Sequence, residues 1–136
     1  MGNNLTSFIF DLDGTLIDSE RAIYNCFKTI TLKLAPERIN YAKSILIGPP
    51  LKITASEILG PDHINQLDKF VELFITLHDD QVINYTQPYK HVLETIKEAH
   101  DLKIPMSIAT NKRSAPTKKL LTYFKWNDYF KNVECS

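Results

Sequence analysis

No run in this 136-residue chain approaches the roughly 18 consecutive apolar residues that a membrane-spanning helix needs. The first residues, MGNNLTSF, have neither a basic start nor an apolar core, which argues against a secretory signal. MGNNLT does fit the loose myristoylation pattern through Gly2 and Thr6. No basic cluster follows to supply a second anchoring signal, so the match reads as chance. Charge of one sign is not in excess either: sixteen basic and sixteen acidic residues give a formal net charge of zero, without a strong block of either. Such a balance gives no reason to expect nucleic acid or an anionic membrane as the main partner. Cysteine is scarce. Cys26 and Cys135 stand far apart and outside any metal-ligand spacing, and read as reduced thiols of a cytoplasmic protein. The four histidines, His63, His78, His91 and His100, show no metal spacing, and internal repeats and low-complexity tracts are lacking.

What is present suits a soluble globular chain about the size of one ordinary domain, with 43% hydrophobic and 24% charged residues. A chain of this length buries roughly 70% of its unfolded surface on folding. Phe8-Ile9-Phe10 is a continuous apolar run of the kind found in central parallel strands covered on both faces. After Asp18-Ser19, apolar residues recur at Ala22, Ile23, Cys26, Phe27, Ile30 and Leu34, a helical spacing with Ser19 as N-cap. Pro36 ends that helix and opens another. Ile47–Leu51, IGPPL, is a loop by its glycine and paired prolines, with a short helical piece beyond it. Asp62 caps an amphipathic helix through Ile64, Leu67, Phe70, Phe74 and His78.

The pattern changes near Asn84. A helix through Val92, Leu93, Ile96 and Ala99 leads to a second buried strand over residues 104–109, which ends at Thr110-Asn111. Ser114 caps a further helix, and YFKNVECS approaches a third strand. Strands alternating with helices indicate an α/β fold with a Rossmann-like parallel sheet. The helical block is too long for one crossover. The expected organisation is therefore an α/β core of residues 1–15 and 84–136, interrupted by a helical cap over 16–83.

The first strand drives straight into Asp11-Leu12-Asp13-Gly14-Thr15. Residues i and i+2 of a strand face one side, so Asp11 and the vicinity of Asp13 serve one site while Leu12 packs away. Ligands of parallel sheets bind beyond the carboxyl ends of the strands. Two carboxylates there are expensive without a counter-charge, and a hard divalent cation, Mg2+ foremost, is the simplest physical answer. Gly14 permits the sharp departure from the strand and lets a ligand approach the backbone. An EF-hand reading fails, since its glycine position falls on Leu16 and its closing glutamate position on Ala22.

DLDGTLIDS resembles the first signature of the haloacid dehalogenase superfamily, in its phosphatase branch. SIATNK is similar to that family's second motif, and PYKHVLETIKEAHDLKIPMSIATNKR resembles the segment leading into it in phosphoglycolate-phosphatase-like members with a helical cap. The resemblance implies an Mg2+-dependent hydrolase of a small phosphate monoester. Asp11 would be the nucleophile that forms an aspartyl-phosphate, and Asp13 the general acid and then base. Asp11 and the backbone carbonyl of Asp13 would ligate the metal. Gly14, the Thr110 hydroxyl and the Asn111 N–H would hold phosphate. Asp13 favours phosphate esters over haloacids, because an alkoxide leaving group needs a proton and a halide does not. Alternatives within the family are a phosphomutase or a pyrophosphatase.

The same resemblance calls for a later lysine beside the nucleophile and a later acidic pair, and neither is found up to Ser136. Lys112 and Lys118 lie too close to the second motif to match that lysine. The expectation is a shortened chain encoding half the site, with slow turnover, an exposed apolar edge at Phe8–Phe10 and self-association there. A non-catalytic remnant that binds a metal or a partner is the alternative of a different class.

Overall fold

The computed structural model describes residues 7–136, so the MGNNLT pattern lies outside the described residues. In chain order the elements are β1 (Phe8–Phe10), β2 (Ile17–Asp18), α1 (Glu20–Leu34), α2 (Ile39–Ser44), α3 (Leu51–Leu59), α4 (Leu67–Gln81), β3 (Gln87–Pro88), α5 (Val92–Asp101), β4 (Met106–Ala109), α6 (Ser114–Phe124) and β5 (Asn132–Glu134). Two units are distinguished: the residues up to Asp18 together with Gln87–Ser136, and Ser19–Thr86. Among the described residues, no helix is long and apolar enough to cross a membrane.

The sheet unit is α/β, as strands alternating with helices require. Its strands run in the order β1-β4-β5, all parallel. Phe8 and Phe10 register with Met106 and Ile108, and Ser107 and Ala109 with Asn132 and Glu134. Met106 and Ile108 are buried, and so are Ile96 on α5 and Leu120 and Leu121 on α6. Trp126, 1% exposed, closes this core between the rings of Phe124 and Phe130. Among the described residues β1 has a strand neighbour on one side, and Ile9 is 72% exposed. Among the described residues the apolar run is thus an edge strand, and with Ile9 open to solvent it is not covered on both faces.

The sequence reading starts the helical insert at residue 16, but Ile17 and Asp18 pair antiparallel with Pro88 and Gln87. Leu16 and Ile17 are buried in the sheet unit. This pairing joins distant positions through two-residue strands, too short to show a period. Pro88 fits such an edge, where its missing N–H interrupts no central ladder.

In the helical unit, α1 buries Ala22, Ile23, Cys26, Phe27 and Ile30, the stripe its spacing predicts. Ile23, Cys26, Phe27 and Ile30 join Ile58, Leu59, Phe70 and Phe74 in one core. Phe27 packs against both Phe70 and Phe74, at centroid distances of 6.2 and 5.1 Å. Ser19 stands at the N-cap of α1, yet its side chain makes no capping bond. Asp62 does not cap α4. Pro61–Gln66 forms a 3-10 turn after Gly60, whose φ of 67° ends α3, and the α-helix starts only at Leu67. Arg38 serves the end of α3 by donating to the carbonyls of Glu57 and Ile58, both at 2.8 Å. A cation there satisfies carbonyls the helix leaves without partners. The Tyr24 hydroxyl donates to the Ile45 carbonyl, and burial, aided by Glu20, raises its pKa above the ordinary phenol value.

Candidate functional site

Asp11 follows the last residue of β1, and Thr110 follows the last residue of β4. Because Phe10 registers with Ile108 in a parallel pair, the two motifs leave the sheet at the same end, side by side. That end is where parallel sheets bind ligands. The arrangement follows from two short apolar runs whose parallel pairing carries their polar successors to a common edge.

Asp11 is exposed, and one of its carboxylate oxygens accepts the Leu12 N–H at 2.8 Å. Leu12 is fully buried and anchors the turn. Its carbonyl accepts the N–H groups of Thr15, Leu16 and Ile17 at 3.2, 3.0 and 3.2 Å, while Gly14 N–H donates to the Ile17 carbonyl at 2.9 Å. Gly14 has φ 78°, and a Cβ built there would meet nothing within 4 Å. The glycine is therefore demanded by backbone conformation, not by crowding, and the space above it is open to a ligand.

Thr110 continues the β4–β5 ladder by donating its N–H to the Glu134 carbonyl at 3.0 Å. Its hydroxyl oxygen accepts the Lys112 N–H at 3.1 Å. A hydroxyl that accepts in this way keeps its own proton to donate elsewhere. Asn111, between them, is exposed. The Lys112 carbonyl accepts the Ser136 N–H at 3.2 Å, so the loop after β4 is held from both sides.

The contact that the sequence reading missed is between the two motifs. Lys112 Nζ lies 3.0 and 3.3 Å from the two carboxylate oxygens of Asp13. Both side chains are largely buried, at 5% and 14% exposure. A buried ammonium is strongly unfavourable unless it is paired, and here one carboxylate takes it with both oxygens. Lys118 is exposed on α6. The signal for Lys112 was its place two residues after Thr110, which projects it from the same strand end. Its partner lies 99 positions away, beyond the reach of any local pattern.

Asp11 and Asp13 are two carboxylates just beyond the end of β1. Among the described residues, no group of three or more His, Cys, Asp or Glu side chains is gathered for a metal ion. Mg2+ is commonly held by one or two carboxylates, with water and substrate phosphate completing its shell. The donor set meets that minimum.

Residues 8–136 match the haloacid dehalogenase-like hydrolase family, and the chain belongs to it. Within that family it is 33% identical to the pyrophosphatase PpaX of Listeria monocytogenes, over 76% of this chain and 49% of the relative. It is 27% identical to the phosphoglycolate phosphatase of Aquifex aeolicus, over 90% of this chain and 56% of that protein. A solved haloacid dehalogenase-like hydrolase from Streptococcus pneumoniae superposes with a TM-score of 0.78 at 23% identity, covering 97% of this chain and 61% of the other. The chain spans about half the length of the relatives it matches in sequence.

Proposed function

We propose that the protein is an Mg2+-dependent phosphohydrolase of small phosphate esters that works through an aspartyl-phosphate at Asp11. The observation that carries this reading is the registered parallel pairing of β1 with β4, which delivers Asp11 and Thr110 to one end of the sheet. In the first step a carboxylate oxygen of Asp11 attacks phosphorus, a new O–P bond forms, and the ester P–O bond breaks. Asp13, in its protonated form, gives its proton to the departing alkoxide and returns to the carboxylate that the Lys112 ammonium bridges. In the second step Asp13 takes a proton from water, and the water oxygen displaces the acyl oxygen of Asp11 as inorganic phosphate leaves. The Thr110 hydroxyl and the Asn111 N–H donate to phosphate oxygens, over the open face of Gly14. Mg2+ would be held by the Asp11 side chain and the Asp13 main-chain carbonyl, and when bound it offsets the repulsion between two anions.

The helical unit is proposed as the family's cap subdomain, the cytoplasm as the location of a chain whose two cysteines form no disulfide among the described residues, and the apolar edge of β1 as a site of self-association. A second reading, hydrolysis of pyrophosphate, is favoured by the names of the 33% identical relatives.

The test uses the purified chain with para-nitrophenyl phosphate, phosphoglycolate and pyrophosphate, each with Mg2+ or with excess EDTA. Slow release of phosphate that EDTA returns to the blank is expected, and the preferred substrate separates the two readings. Release that ignores EDTA, or none from any of the three, contradicts the proposal. Light scattering on the same preparation is expected to show species larger than one chain; a strict monomer removes the self-association part.

A further inference from the structure

Asp11 and Asp13 share one strand end, and the phosphate they would act on is also an anion. We infer that Lys112 supplies a counter-charge there: its buried ammonium fixes the Asp13 carboxylate at the end of the sheet and sets the field that a divalent cation or a phosphate meets. The inference rests on the proposed reading of Asp11 and Asp13.

Three features support a built arrangement and not a chance surface pair. The ammonium spans both oxygens of Asp13, at 3.0 and 3.3 Å, which restricts rotation of that carboxylate. Both partners are withdrawn from solvent, so the attraction is weakly screened. The Lys112 backbone is fixed on each side, through its N–H on the Thr110 hydroxyl and its carbonyl under the Ser136 N–H. Lys112 thereby ties the proposed proton-transfer residue to the proposed phosphate-binding loop. With Asp11, Asp13 and Lys112 ionised, two negative charges and one positive leave a single negative charge at the site. Without Lys112 the same site carries two. Lys112 is therefore a positioning residue, acting through Asp13, and its charge weakens the attraction for a divalent cation while easing the approach of an anion.

The consequence has an unusual sign. Lys112→Met, which keeps the length of the side chain and removes its charge, is expected to tighten Mg2+ binding about tenfold. That is the effect of removing a unit positive charge a few ångströms from a divalent ion at a site open to water. Lys112→Arg is expected to bind Mg2+ within about twofold of wild type. Lys118→Met removes an equal charge from the exposed face of α6 and is expected to leave binding unchanged. Magnesium chloride titrated calorimetrically into each variant at constant ionic strength reads these values. Thermal unfolding shows which variants are folded, and Lys112→Gln stands in if Lys112→Met is not.

A neutral Lys112 variant that binds Mg2+ no better than wild type overturns the inference, as does a Lys118→Met variant that shows the same gain. Absence of Mg2+ binding in wild type and neutral variant alike overturns it too, whereas binding that emerges only in the neutral variant supports it. A merely structural lysine predicts weaker binding on removal. Failure here is distinct from failure of the proposed function: a chain that hydrolyses no phosphate ester but shows this pattern keeps the charge role of Lys112 and loses the phosphohydrolase.

Discussion

Asp11→Asn is expected to reduce Mg2+-dependent phosphate release about a thousandfold, or to the assay blank, with little change in folding. A thousandfold loss corresponds to about 4 kcal/mol of transition-state stabilisation. The carboxamide has nearly the shape of the carboxylate but is too poor a nucleophile to attack phosphorus. It also preserves the local structure, because the amide oxygen of Asn accepts the Leu12 N–H that Asp11 accepts at 2.8 Å. Asp11 is exposed, so the substitution leaves no buried group without a partner. Initial rates on para-nitrophenyl phosphate, with thermal unfolding of the same samples, check both halves. Retention of a tenth or more of the wild-type rate would show that Asp11 is not the nucleophile.

The second large effect falls on the helical unit. Phe70→Ala is expected to destabilise the chain by about 3–5 kcal/mol, the range for deleting a fully buried aromatic ring. Phe70 is 0% exposed and packs on Phe27 within a core of Ile58, Leu59 and Phe74. A domain stable by about 5–15 kcal/mol loses a large share of its stability to such a cavity. Leu32→Ala, at a position 50% exposed, is the comparison, with an expected cost below about 0.5 kcal/mol. Denaturant midpoints followed by circular dichroism give both values. Equal midpoints would mean that the aromatic cluster does not hold this unit together.

The elements legible in the sequence are those with a local cause. The apolar runs at Phe8–Phe10 and Met106–Ala109 are strands, the stripe from Ala22 to Ile30 is one face of a helix, and residues Asn132–Glu134 add a third parallel strand. The family was legible because Asp11, Asp13, Gly14 and Thr15 stand at fixed spacing after an apolar strand. Boundaries were less legible. Asp62 looks like a helix cap because an apolar periodicity follows it, yet Pro61 and Gly60 direct the chain through a 3-10 turn first. Ser114 likewise is the first residue of α6, with Arg113 in the N-cap position.

The remaining misses are tertiary. Ile17 finds Pro88, and Asp13 finds Lys112, across most of the chain length, and nothing in the neighbourhood of either residue announces its partner. Lys112 is close in sequence to the second motif. In three dimensions that nearness carries it to the first motif, because the strands bearing the two motifs are neighbours in the sheet.

The central claim is that Asp11 becomes phosphorylated. Its most direct test is to incubate the chain with Mg2+ and acetyl phosphate, quench in acid and map the label by mass spectrometry. The account predicts one phosphoryl group on the peptide containing Asp11, removable by hydroxylamine and missing from Asp11→Asn. A label on another residue, or one that persists in Asp11→Asn, would contradict it, as would an unlabelled wild type.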